Sequence, residues 1–153
     1  MLKTENEIFQ ECINEAVDLF IEEEWKLLEM DVSERCITHI LANYIKEAVG
    51  DEWDVDIEYN RHQYGLKKEN WEPRPRLFLP DIIVHKRNTG DNLLAVELKK
   101  STNKTRGAKA KDKDRLRGMV SSTEYHYKHG LFVCFPTGKK DYGLLELEKQ
   151  WFP

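Results

Sequence analysis

The sequence predicts a mixed α/β fold in a single domain. In residues 1–50, apolar side chains recur every three or four positions with carboxylates between them, which is typical of amphipathic helices. From residue 54 onward, the apolar segments are short and either alternate with polar residues or are continuous, which is typical of strands. Hydrophobic residues make up 40% of the 153 positions, which is enough for one core, so we assign residues 1–153 to one domain.

The first third of the chain is predicted to contain two helices. Residues 5–29 form the first, because their apolar positions follow a helical period. The pattern is interrupted around Asp31 and Ser33, and either of these side chains can cap a second helix. We expect the second helix to end at Gly50, since glycine is common just after helix C-termini.

The remaining elements are predicted from the change to a two-residue period and from turn signals. The polar segments 61–76 and 100–111 are expected to be loops. In chain order, the elements are a half-exposed strand over 55–59, strands over 81–87 and 93–99, a helix over 112–121, a buried strand over 131–135 and an edge strand over 144–148.

The net charge of −4 conceals a strong asymmetry along the chain. Residues 1–60 carry 17 acidic and 4 basic side chains, whereas residues 61–153 carry 11 acidic and 20 basic ones. A basic half can attract phosphate even when the whole molecule is acidic. The alternative is that two oppositely charged faces only keep the protein solvated.

Cysteine usage and hydropathy favour a cytoplasmic protein. Cys12, Cys36 and Cys134 form no CxxC pair, and their odd number argues against a disulfide framework. No apolar run reaches the roughly 20 residues that span a bilayer. The acidic N-terminus does not resemble a secretory signal, so we expect cytoplasmic localisation and no membrane partner.

The two strands over 81–87 and 93–99 are joined by a strong turn signal, and their geometry brings charged residues together. If the hairpin folds about Thr89, Asp81 lies opposite Glu97. Lys99 follows two positions after Glu97 and projects from the same face. Two carboxylates and a lysine are therefore expected at one end of an otherwise apolar hairpin.

Such a cluster has a chemical and a structural interpretation. Adjacent carboxylates repel each other, and burial is costly unless they bind a cation. Oxygen ligands favour Mg²⁺ or Mn²⁺, which can polarise a phosphoryl oxygen. Alternatively, Glu97 and Lys99 are the exposed end of an edge strand and Asp81 is a turn residue that follows Pro80.

The hairpin also resembles a known signature. The strings Pro80-Asp81-Ile82-Ile83-Val84 and Leu94-Ala95-Val96-Glu97-Leu98-Lys99 resemble the motif of the PD-(D/E)XK, or restriction-endonuclease-like, nuclease superfamily. The resemblance covers residues 33–135 and leaves residues 1–30 as an N-terminal helical extension. It implies a restriction-endonuclease-like core, in which a central mixed β-sheet is flanked by helices.

The resemblance also implies a set of site residues. Asp81, Glu97 and Lys99 would be catalytic, with Glu34 joining them from the preceding helix. Mg²⁺ or Mn²⁺ would be bound by Asp81, Glu97 and the Leu98 carbonyl. Glu34 has an alternative role, because a carboxylate near a helix N-terminus is favourable in itself.

A dense basic segment follows the proposed catalytic strand. Only Asp112 and Asp114 oppose its nine cations, and its position next to Lys99 favours contact with a nucleic-acid backbone. The nine are Lys99, Lys100, Lys104, Arg106, Lys109, Lys111, Lys113, Arg115 and Arg117, and the six expected to contact nucleic acid are Lys100, Lys104, Arg106, Lys109, Lys111 and Arg115.

These features together predict a metal-dependent nuclease that hydrolyses phosphodiester bonds, with DNA favoured over RNA. By analogy with the superfamily, its setting would be defence, restriction or repair, and it would act as a homodimer or beside a larger partner. The alternative is a catalytically inactive nuclease-fold binding module that docks a protein partner through its acidic helices, or that binds nucleic acid.

Two further groups of residues lie near the proposed site in the sequence pattern. The polar-aromatic residues Tyr59 to Tyr64 could contact substrate but more often mark the end of a strand. His85 lies on the same side of its strand as Asp81, although a hydrogen-bonded structural histidine is the more common situation.

Overall fold

The structure, a computed structural model, describes residues 1–58 and 79–153, and between them only the two-residue strands β2 and β3. In chain order, the described elements are α1 (Glu5–Glu23), α2 (Trp25–Glu29), α3 (Glu34–Val49), β1 (Asp54–Ile57), β2 (Arg61–His62), β3 (Gly65–Leu66), β4 (Ile82–His85), β5 (Asn92–Lys100), α4 (Ala108–Ser121), β6 (His129–Phe135), α5 (Gly138–Asp141) and β7 (Glu148–Phe152). The predicted loop over 61–76 and the Tyr59–Tyr64 cluster otherwise lie outside the described residues.

The strands form a mixed sheet, as predicted. Their order is β1-β4-β5-β6-β7, and β2 pairs only with β3. Neighbouring strands of the large sheet are antiparallel except for β5 and β6, which are parallel. A parallel pair requires a crossover connection, and α4 supplies it between β5 and β6.

Helices cover both faces of this sheet. On one face, α1 and α3 pack against a core that includes Leu94, Val96 and Leu98 of β5. On the other face, α4 packs Leu116 and Met119 against the sheet. Because β5 is covered on both sides, its first seven residues are buried, as expected for a central strand.

The predicted helix over 5–29 is divided in the structure. α1 ends at Glu23, Glu24 takes a non-helical conformation, and α2 starts at Trp25. Glu22, Glu23 and Glu24 place three carboxylates at the negative end of the helix dipole, with no basic residue in the last turn. This accumulation of like charge disfavours continuation of the helix.

The second helix begins and ends as predicted. Of the two proposed caps, Ser33 is the one used, and its Oγ accepts a hydrogen bond from the Cys36 amide at 3.1 Å. Asp31 instead adopts a left-handed conformation with φ of 57° and accepts hydrogen bonds from Lys100 and Thr102. Gly50 ends the helix with a positive φ of 75°.

In the second half of the chain, the boundaries of α4 and of the edge strand differ most from the predictions. α4 begins at Ala108, so residues 108–111 of the predicted basic loop are helical, and Gly107 precedes them with φ of 78°. The edge strand is Glu148–Phe152 rather than 144–148, because Phe152 is buried opposite Gly130 while Leu144 stays exposed. Within the described residues, no helix has the length and apolar character that crossing a membrane requires.

Candidate active site

The hairpin of β4 and β5 has the register that was predicted from the turn. Ile82 pairs with Val96 and Ile83 with Ala95, so continuation of the ladder by one step puts Asp81 opposite Glu97. The only irregularity lies at the other end, between Val84 and His85. Asp81 and Glu97 therefore lie side by side on neighbouring antiparallel strands.

Asp81 directly precedes β4, beside the C-terminal part of β5. Its Oδ2 accepts a hydrogen bond from the Leu98 amide at 2.8 Å, and its backbone carbonyl accepts one from the Glu58 amide at 3.0 Å. Burial raises the pKa of Asp81, and this effect outweighs the opposing contacts with Glu97, Leu98 and Lys99. The Leu98 side chain itself is buried in the core on the opposite face.

Glu97 is the most unusual charged group of the site. It is only 3% exposed, and its Oε1 is buried without a hydrogen-bond partner in the described part of the chain. Burial, together with the negative charges of Asp81 and Asp112, raises the pKa of Glu97 well above its ordinary value. A buried carboxyl oxygen with no donor is costly, so the site favours a proton or a cation beside Glu97.

Lys99 lies between two carboxylates that come from different helices. Its Nζ is 2.9 Å from Asp112 Oδ2 on α4 and 3.6 Å from Glu34 Oε2 on α3. Burial lowers the pKa of Lys99, but Asp112, Glu34 and Asp81 outweigh burial and raise it. Lys99 is therefore an ammonium ion at neutral pH, held at the end of β5.

Glu34 reaches the site from the first turn of α3. Its Oε1 accepts a hydrogen bond from Asn103 Nδ2 at 2.8 Å, and its other oxygen faces Lys99. Ser33 is the residue that caps the helix. The Glu34 side chain thus contacts the loop after β5 and the proposed catalytic lysine.

Asp112 is a member of this cluster that the sequence interpretation counted only as a surface charge. Its side chain is 5% exposed and contacts Lys99, and Arg115 lies 3.6 Å away on the same helix. The signal was present in the sequence: Asp112, Leu116 and Met119 have helical spacing and share one buried face. This signal was missed because the helix was predicted to begin at residue 112. The orientation of the first residue of a helix is not fixed by the apolar pattern that follows it.

The carboxylates of the site limit which cations it can bind. Within residues 1–58 and 79–153, no three His, Cys, Asp or Glu side chains are grouped so that they could hold a metal ion. A site with two carboxylates still fits Mg²⁺, which uses one or two carboxylates and keeps several waters. The unsatisfied Glu97 Oε1 next to Asp81 is the observation that supports this fit.

The six proposed nucleic-acid contacts divide into two groups. Three are engaged by carboxylates: Lys100 with Asp31, Lys109 with Glu148 and Arg115 with Asp112. The other three are exposed and form no ion pair with the part of the chain that the structure describes; they are Lys104, Arg106 and Lys111. The second group is the more available for phosphate.

Neither His85 nor His129 joins the site. His85 is buried, and its Nε2 lies 2.7 Å from Asp56 Oδ2, so it is a structural residue that bridges β4 and β1. His129 is buried and stacks on Phe9 with ring centroids 5.0 Å apart. The site therefore consists of four acidic residues and one lysine: Glu34, Asp81, Glu97, Asp112 and Lys99.

Comparisons of this chain with protein-family models, curated proteins and solved structures find no match. The likeness of the hairpin to the PD-(D/E)XK signature accordingly stays a prediction. Any functional conclusion has to rest on the arrangement of the residues themselves.

Proposed function

We propose that this protein is a metal-dependent nuclease of the PD-(D/E)XK type that hydrolyses phosphodiester bonds, with DNA as the favoured substrate. One observation supports the proposal most strongly. The buried Glu97 oxygen without a donor lies beside Asp81, and a lysine held by further carboxylates lies on the same face. A hairpin with only a structural role gains nothing from a buried carboxyl oxygen that has no hydrogen-bond partner.

The roles of the acidic residues follow from their surroundings. Asp81, Glu97 and the Leu98 carbonyl would hold Mg²⁺ or Mn²⁺, which when bound polarises a phosphoryl oxygen and makes a bound water more acidic. Asp81 is oriented by the Leu98 amide, and Glu97 is fixed by burial in β5. Both carboxylates are thus positioned before substrate arrives.

Lys99 acts as a cation rather than as a base. Its raised pKa keeps it protonated at neutral pH, so it cannot remove a proton without a change in its partners. As an ammonium ion, it can orient a water by hydrogen bonding and offset the negative charge that develops on phosphorus. Asp112 and Glu34 hold its Nζ at this position.

The exposed cations after the catalytic strand provide a path for the nucleic-acid backbone. Lys104, Arg106 and Lys111 lie between the end of β5 and the first turn of α4. Contacts of this kind fix the position of a backbone without reading base sequence. By analogy only, defence, restriction or repair would be its setting, and a second copy or a larger partner could supply sequence selection.

The proposal is tested with a panel of duplex DNA, single-stranded DNA and RNA, incubated with Mg²⁺ or Mn²⁺. We expect cleavage of at least one substrate by the parent protein and its loss in Asp81→Asn. The matched control is Asp91→Asn, which makes the same chemical change at an exposed position in the β4–β5 turn. Equal activity of the parent and Asp81→Asn would contradict the proposal.

An inactive binding module is the second candidate, favoured by the neutralisation of Lys99 in the structure. Asp112 and Glu34 already compensate its charge, as in a cluster that only supports the fold. Under this alternative, no substrate on the panel is cut, and Asp81→Asn leaves nucleic-acid affinity unchanged.

A further inference from the structure

A surface groove runs between α1 and α3, on the face of the sheet that they cover. It consists of two adjoining cavities of about 310 Å³ and about 280 Å³. Both are lined by Cys12 and Ala48, so the cavities meet where these two residues of α1 and α3 face each other. At this point Cys12 Sγ donates a hydrogen bond to the Ala48 carbonyl at 3.5 Å.

The floor of the groove is apolar and built partly from small side chains. Cys12, Ala16 and Ala48 leave room for a third element to approach the two helices closely. Larger apolar residues lie at either end: Ile8 is 55% exposed and Leu19 is 42% exposed. The groove therefore offers a narrow apolar strip, bordered by polar residues, that a third element could cover.

The rim of the groove is acidic, and its three carboxylates form no ion pair in the described residues. Glu5, Glu15 and Glu47 line the two cavities. None of the three forms an ion pair within residues 1–58 and 79–153, although Glu11, on the same helix, pairs with Lys3. Negative charge around an apolar floor selects an occupant that is apolar on one side and basic at its edges.

We propose that this groove binds an amphipathic helix of a partner protein, with an apolar stripe flanked by lysine or arginine. The groove follows α1 from Glu5 to Leu19, which corresponds to about 21 Å, or roughly four helical turns, at 1.5 Å per residue. A helix of about 14 residues matches this length. Its apolar stripe would cover the floor, and its cations would face Glu5, Glu15 and Glu47.

The groove shares no lining residue with the candidate active site. At one end it is lined by Leu93, which lies six residue steps along β5 from Lys99, or about 20 Å. At the other end it is lined by Tyr44, which lies ten residue steps along α3 from Glu34, or about 15 Å. A partner helix in the groove leaves the cluster at Asp81 open. Binding of that helix would bring the domain into a larger assembly.

The test uses labelled synthetic peptides of about 14 residues, the length matched to the groove, and measures binding to the full chain by fluorescence anisotropy. The first peptide has leucines at a helical spacing of three and four, with lysines elsewhere. The second has the same composition with the leucines distributed around the helix, and the third has glutamate in place of lysine. We expect binding of the first peptide only.

Two sets of variants locate the binding. The charge reversals Glu5→Lys, Glu15→Lys and Glu47→Lys should together weaken binding of the first peptide roughly tenfold or more. The matched control makes the same change in net charge at exposed carboxylates that do not line the groove: Asp18→Lys, Glu22→Lys and Asp51→Lys. The pair Ile8→Ser and Leu19→Ser, at two exposed positions, should also weaken binding without disturbing the fold.

Three results would overturn the proposal. The first is no binding of the first peptide to the parent, and the second is equal loss in the groove and control reversals, which would indicate general charge attraction. The third is a concentration-dependent dimer of the parent, seen by sedimentation, that the groove reversals dissociate. In that case a second copy of this chain, rather than a partner helix, would be the occupant.

Discussion

Glu97 is the residue at which function and stability are expected to oppose each other. Its pKa is raised in the folded state by burial and by the charges of Asp81 and Asp112. A carboxyl with a raised folded-state pKa contributes most to stability below its unfolded-state pKa, and that contribution is lost as pH rises through the folded-state value. Without metal, the protein should therefore lose stability as pH rises above the ordinary pKa range of a glutamate.

Glu97→Gln removes the cost of ionising a buried carboxyl, because a neutral amide does not ionise. At a pH above both pKa values, each unit by which the folded-state pKa exceeds the unfolded-state pKa lowers the free energy of unfolding by about 1.4 kcal/mol. We expect the variant to be more stable than the parent at pH 8 by more than about 1 kcal/mol, and to depend less on pH. Denaturant unfolding with EDTA at pH 5 and pH 8 measures this, and a variant less stable than the parent at pH 8 would contradict it.

Asp112 is expected to act through Lys99 rather than on the substrate. Asp112→Asn keeps the shape of the side chain but removes the charge that lies 2.9 Å from Lys99 Nζ. Because a displaced catalytic group can reduce a rate by about a hundredfold, we expect single-turnover cleavage to fall by roughly tenfold to a hundredfold.

The control for this prediction is Asp114→Asn on the same helix. Asp114 is exposed and pairs with Arg117, away from the site. Its cleavage rate should equal that of the parent, and substrate affinity should change little in either variant. Equal rates for Asp112→Asn and Asp114→Asn would show that Asp112 does not position Lys99.

At the scale of elements, Gly130 of β6 allows α4 and β7 to pack closely at the sheet. A Cβ atom there would lie 3.3 Å from both Phe152 Cβ and Val120 Cγ2, and 3.4 Å from Leu116 Cβ. We expect Gly130→Ala to lower the free energy of unfolding by about 1–3 kcal/mol, the usual cost of overpacking.

A second substitution distinguishes crowding from loss of glycine as such. Val120→Ala removes one of the two closest atoms, so the double variant should recover part of the lost stability. Denaturant unfolding of the parent, both single variants and the double variant gives the coupling. Strict additivity of the two single effects would indicate that the contact with Val120 is not the cause.

The predicted elements differ in how well local sequence determines them. The β4–β5 register was predictable, because the turn signal around Thr89 and the apolar face of Leu94, Val96 and Leu98 allow one pairing. The start of α4 was not, because lysines and small residues at 108–111 suit a loop as well as a helix. The burial of Asp112 depends on tertiary packing of α4, so it became visible only in the structure.

At the scale of the whole molecule, the basic segment is expected to determine how affinity for nucleic acid depends on salt. Lys104, Arg106 and Lys111 are exposed and without ion pairs in the described residues. Replacing all three with alanine should reduce the slope of log affinity against log salt on duplex DNA by about three. Cleavage at saturating substrate should survive, because none of the three belongs to the candidate site of Glu34, Asp81, Glu97, Asp112 and Lys99.

The control replaces three lysines on other parts of the surface: Lys26, Lys86 and Lys128. It changes net charge by the same amount but leaves the basic segment intact. The slope of log affinity against log salt should therefore stay close to that of the parent. A salt titration of binding compares the three proteins. Equal slopes for both triple variants would mean that the backbone follows another path.

The chemistry itself is tested most directly by single-turnover cleavage with Lys99→Ala in Mn²⁺. Lys99 is one cation among many, so nucleic-acid affinity should remain nearly intact while cleavage is lost. Lys113→Ala, which removes a neighbouring lysine paired with Glu148, should cut like the parent. If Lys99→Ala cuts as fast as the parent, Lys99 is not catalytic, and the assignment of the hairpin as a PD-(D/E)XK centre fails.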